Sequence, residues 1–306
     1  MRGAPRASLD FAQAELPEKG PRVNRNWPCV WLMLLTLGGC AAPQKPGVGL
    51  RLEAVSANDS GYQYYLQGRW SLAEEKFAEA LKYNRLIDHR AGIAANLNNL
   101  GAIALGWGQL PQAEARFREA LTISREMGDT GAICETLNNL GTVYLAQGRL
   151  DEARNSFQEA LGYANLLPPG PLQPLTLTHL GDVARVGRDY SQALELYCRA
   201  LELDRTRKDL RGQAVRWERI GRTHLDQQNY APATPYLHDA LREFRRLEDT
   251  NGIVDTLNSL TRLSLAQGDR EGARLYGELL LKIYQARDQE EEAKKLEEAL
   301  KQGAGK

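Results

Sequence analysis

Apolar residues recur along most of this chain at spacings of three and four. Ile93, Leu97, Leu100 and Ala104 mark the buried stripe of a helix from about Arg90 to Trp107, and Gly108 interrupts it. Ala113, Phe117, Ala120 and Leu121 mark a second helix from about Pro111 to Met127, before a turn at Gly128-Asp129. Pro111 suits a first helical turn. Ser71, Asp151 and Ser191, at the same place in other copies, are residue types that favour an N-cap. Neither helix can bury its stripe alone, so such pairs must stack on their neighbours.

The pair repeats with a period of 40 residues: Gly61, Gly101, Gly141, Gly181 and Gly221 share one register, and Thr261 takes the sixth place. A fixed period of this size predicts a stacked repeat protein. The clearest copy is Asn138 to Leu161. Repeats are expected over residues 54–288. Pro168, Pro169, Pro171 and Pro174 interrupt the pattern between the third and fourth copies, which predicts a rigid kinked loop there. Residues 289–306 form a charged tail in which Ala293, Leu296 and Leu300 share one helical face, as a solvating cap requires.

The third copy reads Leu137, Leu140-Gly141, Tyr144, Gly148, Leu150, Ala153, Phe157 and Ala160. The first reads Gly61, Tyr64, Gly68, Trp70, Ala73, Phe77 and Ala80. In this order of large, small and aromatic residues the unit resembles the tetratricopeptide repeat. The resemblance implies an all-α, superhelical solenoid of about six helix-turn-helix repeats with a C-terminal capping helix. The six residues beyond the usual repeat length are expected to lengthen each helix by about one turn. The sixth copy departs from the motif, with Thr261, Gly277 and Leu280 in place of Gly, aromatic and Ala.

Composition narrows the function. The formal net charge is zero, which gives no support to nucleic-acid binding. Cys29, Cys40, Cys134 and Cys198 form no CxxC pair, and His89, His179, His224 and His238 form no metal-binding spacing. Cys134 and Cys198 fall inside helical stripes and are expected as packed, free thiols. No phosphate loop or converging acid and base is visible, so neither an enzyme nor a cofactor site is expected.

The N-terminus has another character. Trp27 to Leu37 is an apolar run too short to span a bilayer, preceded by Arg22 and Arg25 and followed by Gly38, Gly39 and Cys40. A basic flank, a short apolar core and small residues make a signal peptide over residues 1–39. Leu37-Gly38-Gly39-Cys40 resembles a bacterial lipobox. That resemblance implies cleavage before Cys40 and a diacylglycerol on its thiol; ordinary cleavage with Cys40 left as a free thiol is the rival. Ala41 then implies the outer membrane, facing the periplasm, and residues 40–53 read as a lipidated tether. Asp10, Glu15 and Glu18 are foreign to a signal leader, which suggests that translation starts near Val23.

In the tetratricopeptide resemblance, the first helix of each pair lines an inner groove. Its inward positions here include Asn98, Asn99, Asn138, Asn139 and Thr142, and further along Arg219, Arg222 and Arg262. Asparagine pairs one unit apart can pair with the backbone of an extended peptide, or can satisfy neighbouring helices instead. The arginines, with Arg185, form a basic strip for a carboxylate-bearing partner, or pair with Asp182 and Glu218. The expectation is a lipid-anchored scaffold of the cell envelope that binds protein segments; an intracellular peptide-responsive regulator built from the same repeats is the alternative.

Overall fold

The computed structural model describes residues 46–287 and 289–304, which fold into thirteen helices with no strand among them. The signal peptide, the lipobox with Cys40, and Cys29 lie outside the described residues. No described helix is long and apolar enough to cross a membrane. The chain divides into two compact units between Met127 and Gly128.

The first unit holds α1 (Pro46–Leu66), α2 (Trp70–Leu86), α3 (Arg90–Gly106) and α4 (Leu110–Met127). Helix α1 starts at Pro46, so residues 46–53, expected as tether, are helical; Pro46 at the first position costs no hydrogen bond. The second unit holds α5 (Thr130–Ala146), α6 (Leu150–Ala164), α7 (Leu172–Val186), α8 (Tyr190–Thr206), α9 (Leu210–Asp226), α10 (Tyr230–Arg246), α11 (Thr250–Gln267), α12 (Arg270–Ala286) and α13 (Glu290–Ala304). Each odd-numbered helix up to α11 packs antiparallel against the even-numbered helix that follows.

Close approach within a pair explains the small residues. A Cβ added at Gly61 would sit 2.7 Å from the Phe77 ring, and one at Gly141 or Gly181 would sit 2.5 Å from Phe157 or Tyr197. Each glycine is thus the flat seat of the partner's large side chain. Phe117 and Phe157 are fully buried, as are Ala80, Ala120, Ala160, Ala200 and Ala240 one turn on. In the fifth pair Gly221 seats Leu237 instead of an aromatic. Burying each such ring contributes roughly 2–3 kcal/mol.

The repeat is finer than 40 residues. Helices α2 and α3, each 17 residues long, are joined by three residues, so each helix plus turn takes 20. The middle turn residue has positive φ at Gly68, Asp88, Gly108, Gly128, Gly148, Arg188, Lys208, Gln228, Glu248 and Gly268, all spaced by 20 or 40. Its N–H and the next one close on the helix end: Gly108 N–H donates to the Leu105 carbonyl and Gln109 N–H to Ala104. Position 168 is Pro, whose ring holds φ near −65° and forbids that turn. There α6 stops early at Ala164 and α7 starts late at Leu172, and Pro174 lies inside the first turn of α7 rather than in the loop.

The residue after the positive-φ position is the N-cap of the next helix. Asp129, Asp189, Asp209, Asp249 and Asp269 each accept the N–H three residues on, at 2.8–3.0 Å. Ser71, Asp151 and Ser191 are therefore not caps; they lie two residues inside their helices, whose N-caps are Arg69, Arg149 and Asp189. The cysteines also divide. Cys134 is fully buried and donates to the Ala160 carbonyl, and burial pushes its thiol up to about 11. Cys198 is exposed rather than packed. At the C-terminus, Ala293 and Leu296 join a cluster with Leu280 and Tyr284, and Leu300 rests on Gly277, where no side chain intervenes.

Candidate functional site

The odd-numbered helices lie side by side within each unit and carry nearly all the polar groups singled out above. In the first unit those groups turn on one another. Asn99 Nδ2 donates to Asn58 Oδ1 at 3.3 Å, and Asn96 Nδ2 donates to the same oxygen at 2.9 Å. Asn84 Nδ2 then donates to Asn96 Oδ1 at 2.8 Å, and the His89 ring nitrogen Nδ1 meets Asn84 Oδ1 at 3.0 Å. This amide chain ties α1, α2 and α3 together. Asn96 is 1% exposed and Asn84 5%, so both lie where an unpaired amide would be costly. Asn98 and Asn99 are half-buried at the edge of this chain. Asn58, Asn84 and Asn96 escaped the sequence reading because they fall outside the inward positions of the repeat motif. Their spacing, 38 residues from Asn58 to Asn96, was the available signal.

In the second unit Asn138 departs from expectation. It is 3% exposed, and its amide donates to the Cys134 carbonyl and, at 2.9 Å, to Thr176 Oγ1 on α7. It joins α5 to α7 and does not face a partner. Thr142 is half-buried, with its hydroxyl donated to the Asn138 carbonyl one turn back. Asn139 is half-buried and makes no side-chain hydrogen bond among the described residues.

The arginine strip is mostly neutralised. Arg219 Nε lies 3.4 Å from Asp182 Oδ1 on α7, and its Nη1 lies 3.0 Å from Glu218 Oε2. Arg185 and Arg262 share Asp226, at 2.7 and 3.0 Å. Asp226 closes α9 and sits 41 residues from Arg185, a spacing of about one repeat that pointed to the contact. Glu218 Oε1 accepts from Ser259 on α11, and Tyr197 donates to Asp182 Oδ1 at 2.7 Å. Burial pushes the Asp182 carboxyl up, but Arg219 and Arg185, aided by His179 and Tyr197, outweigh it and hold the group below the usual carboxylate range. Burial, then Asp182, drives the Tyr197 phenol well above its ordinary value, so it stays a donor. Arg222 is half-buried and is the exception: among the described residues it makes no hydrogen bond or ion pair. Of the strip, Arg222 alone has no direct hydrogen-bond or ion-pair partner among the described residues, though Glu218 and Asp182 still favour its charge. No three metal-binding side chains gather among the described residues.

Residues 52–126 and 132–206 match the tetratricopeptide repeat family. Those two stretches carry tetratricopeptide repeats. Solved structures share this repeat fold at low identity. Aspartyl phosphate phosphatase F from Bacillus subtilis is 16% identical with a TM-score of 0.65, over 85% of this chain and 72% of that one. A Rap protein solved in complex with competence and sporulation factor is 13% identical with a TM-score of 0.61, over 83% and 75%. The pilF protein of Pseudomonas aeruginosa is 20% identical with a TM-score of 0.54, over 80% and 99%. These likenesses concern the fold. No curated protein sequence matches significantly. Tetratricopeptide repeats are in general scaffolds for protein interaction, and this chain has that architecture.

Proposed function

We propose that this protein is a non-enzymatic scaffold, held at the cell envelope by a lipid on Cys40, that captures extended protein segments on the odd-helix face of residues 128–306. One observation carries the reading. Half-buried polar side chains, Asn139 and Arg222, remain without internal partners on a face where their neighbours are paired. A packed core has no use for such groups, whereas a peptide laid across them supplies the missing partners. The Rap protein in complex with competence and sporulation factor lends the proposal an example of a bound ligand on a related fold.

Anchoring and capture are tested separately. A photo-cross-linking side chain placed at Asn139 is expected to trap a protein segment in living cells, while one on the exposed side of α8, at Glu202, traps none. Equal trapping at both positions would sink the groove reading. Cys40→Ser is expected to abolish labelling by palmitate and release the protein from membranes. A variant that stays labelled and bound overturns the lipid anchor, and an unlabelled parent in the soluble fraction favours the intracellular regulator.

A further inference from the structure

We propose that the outer face of α1 docks on the bilayer surface beside the anchored Cys40, and so fixes how the first unit is held against the membrane. The inference rests on the lipid-anchor reading of Cys40.

Helix α1 is apolar on two opposite faces. One carries Ala54, Ala57 and Gly61, which are buried, and Gly61 seats the Phe77 ring of α2. The other carries Val48, Leu52, Val55, Tyr62 and Leu66, which are 39–64% exposed. Steps of four, three, seven and four residues keep these five on one line along the helix, about 27 Å long. A helix that is apolar on both sides is suited to cover on both sides. Helix α13, the last described one, shows the alternative. Its outward positions hold Glu291, Lys294, Glu297 and Glu298, all exposed, as a water-facing end helix requires.

The chain just before α1 points to what covers it. Only Ala41 to Lys45 lie between Cys40 and Pro46, so covalent geometry holds the start of α1 within about 20 Å of Cys40. Val48 opens the stripe two residues later, and Leu52 and Val55 follow over the next two turns. A surface tethered that near to lipid meets it at high effective concentration, so a stripe too weak to bind a membrane alone is sufficient. Arg51, exposed beside Val48 and Val55, suits an anionic headgroup. Asp59, exposed in the gap between Val55 and Tyr62, confines the contact to the turns nearest Cys40. It also counts against a second copy as the occupant. Two α1 helices paired along their stripes would bring two Asp59 carboxylates together near the middle, where like charges repel.

The test uses the full chain as the cell processes it, carrying Cys198→Ser and reconstituted into vesicles of phosphatidylethanolamine and phosphatidylglycerol. A fluorescent label is attached through Leu52→Cys or, as control, through Glu75→Cys on the exposed side of α2. Cys134 is fully buried and stays unlabelled. Nitroxide-bearing lipid is expected to quench the label at position 52 about threefold more than the label at position 75. Val48→Ser with Val55→Ser should remove that excess, while the protein stays on the vesicles with its melting temperature unchanged. Equal quenching at both positions of acylated, vesicle-bound protein overturns the docking face and leaves the anchor standing. Excess quenching that survives the serine variant overturns the stripe as its cause. A label at position 52 shielded from nitroxide lipid and from aqueous iodide alike overturns the inference in favour of a protein cover. That cover is the segment before Cys40 if mass spectrometry finds it retained, and a second copy if not. A mass without acyl chains on Cys40 overturns the anchor and the inference together.

Discussion

Asn84 and Asn96 in the first unit occupy the same repeat positions as Asp204 and Arg216, 120 residues later in the second. Each pair joins the end of an even-numbered helix to the odd-numbered helix that follows. Each is packed beneath a glycine: a Cβ at Gly92 would strike Asn84 at 2.5 Å, and one at Gly212 would strike Asp204 at 2.6 Å. The slot is the same, but the chemistry differs. The amide pair is neutral and passes its hydrogen bonding on to Asn58. The ion pair is 3.1 Å apart, 1% and 6% exposed at its two side chains, with Arg207 at 3.3 Å as a second cation. Burial pushes the Asp204 carboxyl up to about 6 against the pull of Arg216 and Arg207. The fold therefore demands a polar pair of the right volume, not a charged one, and charge in this slot carries a desolvation cost the amides avoid.

The largest effect is expected where only one charge of the buried pair is removed. Asp204→Ala removes the carboxylate 3.1 Å from the buried Arg216 and is expected to cost about 3–5 kcal/mol in urea unfolding. Asp204→Asn with Arg216→Asn copies the first-unit solution and should return to within about 1 kcal/mol of the parent. A double variant as unstable as the single one would show that the charges themselves are required.

A smaller effect sharpens the same point through pH. The raised Asp204 pKa means that the folded state holds this proton more tightly than the unfolded chain. Its contribution to stability is full below about pH 4, the unfolded value, and is lost as pH rises through about 6. Asp182 runs the other way: its lowered pKa gives stability present above that unfolded value and lost as pH falls through the folded one. Asp182 is common to the parent and to the double variant that carries Asp204→Asn and Arg216→Asn, so its contribution cancels between them. Unfolding measured from pH 4 to 7 should thus show the parent losing stability relative to that double variant. A constant difference across that range would contradict the buried acid.

The smallest effect concerns the turns, which also differ between the units. Four of the five non-glycine residues with positive φ lie in the second unit, at Arg188, Lys208, Gln228 and Glu248. A side chain in this region costs about 1 kcal/mol, partly offset by the entropy of glycine in the unfolded chain. Lys208→Gly and Gln228→Gly should each raise stability by up to about 1 kcal/mol in calorimetry. Asp88→Gly tests the same gain in the first unit, where the other turns already have glycine.

Much of the fold was legible because it is written in a period. The glycine register and the stripes at three and four identified the helix pairs, and a stack follows from stripes that cannot be buried alone. The turn register was less legible. Only half of its positive-φ positions are glycine, so a 20-residue period was hidden behind one of 40. The caps were misplaced for the same reason, two residues inside the helices. The site was legible only in part. Asn138 and Asn139 are adjacent in sequence, yet one is buried between helices and the other is half-exposed, because adjacent residues on a helix point about 100° apart.

Periodic apolar stripes and small residues were enough to require a stack of paired helices, since little else would bury them. Which polar residues remain unspent was fixed by packing between helices. Pairing depends on distances between groups one repeat apart in the chain, and no local pattern reports them. Asp226 neutralises two arginines and leaves Arg222 free through such contacts between helices.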